Sequence, residues 1–129
     1  MKDFFEGLYS YLRNHPNLKG VFGERIYPAV AAQNVSYPII VYNSIGVSYD
    51  KNLQKESGFV RLTVQFSVVD NSFAGARINC KRLRKALKDF HGDMSGVFIE
   101  AVHTVSDEIE INEENEYMAI LEMEFMYKE

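Results

Sequence analysis

Cysteine, histidine and proline are scarce in this chain, and each scarcity removes a class of function. Cys80 is the one cysteine among 129 residues. No internal disulfide can form, no four-cysteine zinc site can be built, and such usage fits a reducing compartment. The three histidines, His15, His91 and His103, show no HxH, HExxH or His-Asp spacing, so metal binding and histidine catalysis lack a motif. No segment reaches the ~18 apolar residues of a membrane-spanning helix. Asp3, Glu6 and Arg13 interrupt the N-terminal stretch that a signal peptide would keep apolar, so the expectation is a cytoplasmic product.

What the chain has in quantity is apolar and aromatic surface. Hydrophobic residues make up 47%, nine Phe and eight Tyr are present, and the net charge is only -4. That composition predicts one packed domain spanning residues 1–129 rather than disorder. The charge is unevenly placed. Arg77, Lys81, Arg82, Arg84, Lys85 and Lys88 crowd one stretch without an acidic residue. From Asp107 onward, Asp107, Glu108, Glu110, Glu113, Glu114, Glu116, Glu122, Glu124 and Glu129 are relieved only by Lys128.

Periodicity outlines the elements. Phe5, Leu8 and Leu12, flanked by Phe4 and Tyr11, predict a helix over 3–14 that His15-Pro16 ends, with one more short turn within 17–23. Pro28 and Pro38 lack an amide hydrogen, which predicts a loop between them outside the sheet. A first strand follows Pro38, with Ile39, Val41 and Ile45 on one face, Tyr42 and Ser44 on the other, and Gly46 closing it. Residues 47–57 read as an exposed hairpin connection. Val60, Leu62, Val64, Phe66 and Val68 alternate with Arg61, Thr63, Gln65 and Ser67, the mark of a second strand with one dry face.

Asp70, Asn71 and Ser72 offer N-cap side chains to a second helix, whose stripe is Phe73, Ala76, Cys80, Leu83, Leu87 and Phe90, with Gly92 as its C-terminal glycine. A third strand over 97–105 and a fourth over 117–127 complete the pattern. The fourth carries Ala119, Leu121, Met123, Phe125 and Tyr127 on one face. Ile109 and Ile111, alternating with Glu108 and Glu110, predict a ribbon projecting beyond the sheet. The fold class is α+β: a four-stranded, mainly antiparallel sheet, with mixed pairing left open. Two helices pack on one face, in the order α-β-β-α-β-β.

Chemistry finds little purchase. Cys80 lies on the apolar stripe, where cysteine acts as a small hydrophobe, and no serine sits in a Gly-x-Ser-x-Gly turn. Glu108/Glu110 and Glu122/Glu124 read as solvated strand faces. No catalytic, cofactor or metal residue is assigned. On the second helix Arg77, Lys81, Arg84 and Lys88, at spacings of four, three and four, form one stripe, with Ile78, Arg82 and Lys85 further round. A solvated face, a phosphate contact and a patch meeting acid on another subunit are all open to it. The pI of about 5.4 and the absence of a reading motif weigh against DNA recognition.

Several stretches together resemble the tail-completion proteins of tailed bacteriophages and prophages, also called head-to-tail joining or tail-terminator proteins. They are GERIYP (Gly23 to Pro28), Gln33, YPIIVYNSI (Tyr37 to Ile45), VRLTVQFSV (Val60 to Val68) and a final strand ending EFMYKE. The resemblance runs from about Leu12 to the end. Arg25, Tyr27 and Pro28 match the family's turn, Pro38, Val41 and Tyr42 its first strand, and Gln65 a polar position of the second. The acidic ribbon from Asp107 to Glu116 and the loop from Val47 to Ser57 depart from the pattern.

The resemblance implies a non-enzymatic, cofactor-free virion protein that forms a hexameric ring. The ring would complete the tail tube and join it to the head connector. Its partners would be further copies, the tail-tube protein and connector proteins, with DNA passing through the lumen unrecognised and no membrane involved. It would reside in the host bacterial cytoplasm during assembly and then in the virion tail. On this view Arg77, Ile78, Lys81, Arg84, Lys85 and Lys88 would meet Asp107, Glu108, Glu110, Glu113, Glu114 and Glu116 across a subunit interface; an acidic lumen is the rival use of the carboxylates. The alternative is a small nucleic-acid- or protein-binding module using the basic face of helix 72–90.

Overall fold

A computed structural model describes residues 3–51, 56–112 and 114–128. The chain opens with α1 (Phe4–Asn14) and α2 (Pro16–Phe22), then β1 (Ile26–Pro28), β2 (Ile39–Lys51) and β3 (Glu56–Asp70). It continues through α3 (Phe73–Leu87), β4 (Gly92–Met94), β5 (Val97–Ile111) and β6 (Tyr117–Lys128). The strands form one six-stranded sheet in the order β1-β2-β3-β6-β5-β4. Every neighbour pair is antiparallel except β1 with β2. The α+β class stands, but the sheet has two more strands and the helical layer one more helix than expected. Both extra strands are three residues long, too short for alternation to register.

The centre of the sheet is β3 against β6, paired without interruption from Phe59↔Lys128 to Asp70↔Tyr117. Val60, Leu62, Val64, Phe66 and Val68 of β3 and Ala119, Leu121, Met123 and Phe125 of β6 are all buried, as the period-two pattern predicts. Phe66 and Phe125 lie with ring centroids 6.4 Å apart, and Phe4 of α1 meets Phe125 edge-on at 5.1 Å. Phe4, Leu8 and Leu12 of α1, Leu18 and Phe22 of α2, and Ala76, Cys80, Leu83 and Leu87 of α3 close over this face.

The helix ends follow their capping chemistry. Asp3 accepts the Phe5 amide at 3.1 Å and Ser72 accepts that of Gly75 at 3.0 Å. His15 stops α1 and starts α2: its backbone is extended (ψ 123°), Pro16 takes the first helical position, and its ring nitrogen accepts the Asn17 amide at 3.2 Å. α3 ends at Leu87, before Phe90, and Gly92 does not cap it. The chain turns through Asp89 at φ 59°, whose amide donates to the Val102 carbonyl, and Gly92 begins β4.

Two strands depart from their expected facing. Ile40 and Tyr42, opposite Val68 and Phe66, turn into the core in place of Ile39, Val41 and Ile45. Ile39, Ile40 and Val41 form a continuous apolar run, which has no phase of its own. Ile39 is buried on the opposite side, opposite Val69. β2 also continues past Gly46 to Lys51, through register shifts at Ser44/Gly46 and Tyr49/Lys51. Most of the anticipated 47–57 connection is therefore strand; its tip, 52–55, lies outside the described residues. β5 likewise runs on to Ile111 after shifts at Ile99/Ala101 and Thr104/Ser106, so the ribbon that was expected to project is paired with β6 (Ile109↔Ala119, Ile111↔Tyr117). The shifts at Ser44/Gly46, Ile99/Ala101 and Thr104/Ser106 each place one extra residue in β2 or β5 and invert the alternation beyond it.

Gly7 shows how closely α1 sits on the sheet: a Cβ there would lie 2.7 Å from the Met94 carbonyl oxygen and 2.9 Å from a Val97 methyl. Gly7→Ala is expected to destabilise the protein despite alanine's advantage of about 1 kcal/mol in a helix. Gly20→Ala, whose new methyl meets nothing within 4 Å, should stabilise it by up to ~1 kcal/mol. Denaturant unfolding of the two variants against wild type checks the pair of opposite signs.

Candidate functional site

The Tyr-Pro pairs that bracket residues 27–38 form a structural joint. β1 lies parallel to Ile40–Tyr42 with Pro28 as its last residue at the sheet edge, and the loop between Pro28 and Pro38 lies outside the sheet, as expected. An outer strand tolerates the proline because a missing N–H facing away from the sheet breaks no ladder bond. The Arg25 guanidinium donates to the Pro38 carbonyl at 3.1 Å and the Val21 carbonyl at 2.9 Å. The Arg25 carbonyl accepts the Ile40 amide, and the Ala29 amide donates to Tyr42. The Tyr37-Pro38 bond is cis. One arginine thus fastens the end of α2 to the start of β2. The loop residues Ala31, Asn34, Val35 and Tyr37 then line a groove with Val69 and Met118 on the face away from the helices.

The basic residues of α3 divide. Arg77, Ile78, Lys81, Arg82 and Lys85 line a groove of about 520 Å³ together with His15 and Asn17 at the start of α2. Ile78 is 48% exposed there. Arg84, expected on the same stripe, turns to the sheet and donates to the Thr104 hydroxyl at 2.9 Å. Lys88 sits past the helix end, 4.0 Å from the Asp89 carboxylate. Arg82 and Lys85, read from spacing as lying further round, belong to the groove because α2 packs against α3 there, a contact that helical periodicity cannot show.

The acidic residues also divide. Asp107 pairs with Leu121 and so falls on the helix side of β5, while Glu108 and Glu110 fall on the other face, opposite Ile120 and Met118. Glu122 and Glu124 of β6, opposite Gln65 and Thr63, share that uncovered face. The four glutamates therefore come together although they are distant in sequence, a convergence that needed the β5–β6 register to become visible. Arg61 answers part of this charge, 3.3 Å from Asp50 and 3.9 Å from Glu124. Glu116 is a turn residue: its carboxylate accepts from the Asn112 amide group at 2.8 Å, and its backbone donates back at 2.9 Å. Glu114 is exposed in the same turn, and Glu113 lies outside the described residues.

No reactive centre emerges among the described residues. No cluster of three or more His, Cys, Asp and Glu could hold a metal ion there. His15 caps a helix, His91 faces the Glu100 carbonyl at 2.9 Å, and His103 is exposed in β5. Burial pushes the Cys80 thiol up to about 11; the Asp107 carboxylate adds to the shift and Arg84 opposes it. A thiol raised that far stays protonated at neutral pH. Cys80 should therefore resist iodoacetamide at pH 7.5 in the native protein and react fully in denaturant, as mass spectrometry of the adduct will read. Rapid native labelling would contradict this burial.

No curated protein matches the chain in sequence. Among solved structures it is similar to a chain of the "Virion of native gene transfer agent (GTA) particle", with a TM-score of 0.82 at 15% identity. The likeness covers 98% of this chain and 95% of that one; at such identity it shows a shared fold. The family described as Tail completion protein gp17 matches residues 6–128, which takes in the Arg25 joint, the central strands and both charged regions. From α1 to the end of β6, then, the protein belongs to the Tail completion protein gp17 family, a structural and non-enzymatic family of phage tail completion.

Proposed function

We propose that copies of this protein assemble into a closed ring that caps the tail tube and joins it to the head connector. The observation that carries this reading is the separation of charge within one chain. A basic groove lies between α2 and α3, and four glutamates stand on the uncovered face of the sheet. Among the described residues, Arg77, Lys81, Arg82 and Lys85 make no ion pair. Internal pairing does not consume these cations, so they suit an acidic surface of another subunit of the assembly. Complementary charge there would favour correct encounter over raw affinity.

The glutamate face has a use of its own in such a ring. A channel that passes DNA must not hold it, and carboxylates repel phosphates. Helices outward and the open sheet face inward would give Glu108, Glu110, Glu122 and Glu124 that role. The gene transfer agent chain, with the same fold, comes from a virion particle, which agrees with a place in a tail.

Light scattering after size exclusion, with the protein alone and beside its tail partners, tests the ring. A single closed oligomer is expected, weakened by Lys81→Glu with Lys85→Glu and by raised salt. A monomer at every concentration and salt, even with tail partners present, would overturn it. Tight DNA binding that falls steeply with salt would favour a nucleic-acid module on the basic groove instead.

A further inference from the structure

On each side of the sheet the outermost strand covers only a short part of a much longer neighbour. β1 pairs only with Ile40–Tyr42 of β2, and β4 only with Val97–Ile99 of β5. Further along β5, His91 occupies the Glu100 carbonyl and the Asp89 amide occupies that of Val102. Beyond these points, no strand among the described residues lies outside β2 from Asn43 onward or outside β5 from His103 onward. The two open segments, 43–50 and 103–111, carry Ile45, Val47, Tyr49, Val105 and Ile111. These are five of the ten large apolar side chains that stand exposed among the described residues. Long apolar edges are templates for strand pairing unless lysine, proline or cover blunts them. Neither segment contains a lysine or a proline.

The two edges are suited to each other. β2 runs parallel to β6 and antiparallel to β5, because each step from β2 through β3 and β6 to β5 reverses direction. A second copy set alongside in the same orientation therefore brings its β5 antiparallel to β2. Like pairing of two β5 edges would face Asp107, Glu108 and Glu110 against their own copies, which is unfavourable. The β2 segment is neutral apart from Asp50, which Arg61 already holds.

We propose that residues 103–111 of one copy add as a strand to residues 43–50 of the next, joining successive sheets into a continuous belt. This rests on the ring reading above and names its contact. Eight paired residues give about 27 Å of ladder, and one edge meeting a different edge is the heterologous contact that a closed ring requires.

Two double variants test it: Ile45→Glu with Val47→Glu on the β2 edge, and Val105→Glu with Ile111→Glu on the β5 edge. All four side chains are exposed, and circular dichroism verifies that each variant folds. Each variant alone should lose the ring, while a one-to-one mixture should give a discrete heterodimer, since one intact edge of each kind remains. Rings that persist in both variants would overturn the edge contact and leave the ring itself standing. Dimers formed by one variant alone would show like-edge pairing and overturn the heterologous contact. A wild type that stays monomeric beside its tail partners would remove the ring and this contact together.

Discussion

The unbroken pairing of β3 with β6 is the constraint from which the remaining architecture follows. Twelve residue pairs run from Phe59↔Lys128 to Asp70↔Tyr117 without a register shift. One face of both strands is therefore apolar along its length, and a strand slip by one residue would expose all of it. Phe66 and Phe125 anchor that face, and the three helices are placed by having to cover it. Irregularity is pushed outward. Both strands that flank the central pair carry two register shifts each, and both edge strands are only three residues long.

Covering one face leaves the other to define the surface. On that face Thr63, Gln65, Glu122 and Glu124 alternate with the buried residues, and β5 extends the carboxylate row with Glu108 and Glu110. The loop held by Arg25 also lies on this side, and Ile39, Val69 and Ile120 are buried away from the main core. The helical side is basic instead, because the solvent face of α3 carries the lysines and arginines that its apolar stripe leaves over. A one-sided sheet thus sorts charge into two surfaces.

Much of this was legible beforehand. The dry faces of β3 and β6, the caps at Asp3 and Ser72, and the buried stripe Ala76, Cys80, Leu83 and Leu87 of α3 all follow from local spacing, although Phe73, expected on that stripe, stands exposed in the first turn of the helix. Family membership was readable from GERIYP, YPIIVYNSI and VRLTVQFSV. Facing was misread where the signal was continuous or shifted. Ile39 to Val41 has no alternation to phase, and the bulges in β2 and β5 invert the pattern midway, so both strands seemed to stop early. β1 and β4 were missed because three residues cannot show a period. Arg84 and Glu116 are also engaged within the chain, by Thr104 and by Asn112, contacts that spacing along the sequence does not show.

What the sequence by itself determined is the material of the molecule: which strands must hide a face, where helices begin, how much charge of each sign exists, and that nothing is arranged as a reactive centre by motif. Those are properties of neighbours one to four residues apart, where backbone geometry dictates which side chains share a face. Only the tertiary structure decided which charges stand together and which edges stay open. Cross-strand register joins Glu108 and Glu110 to Glu122 and Glu124, α2 against α3 makes the basic groove, and the short β1 and β4 leave most of β2 and β5 uncovered. Each of these depends on which distant segment packs where, a choice made by burial of the whole apolar face rather than by any local preference.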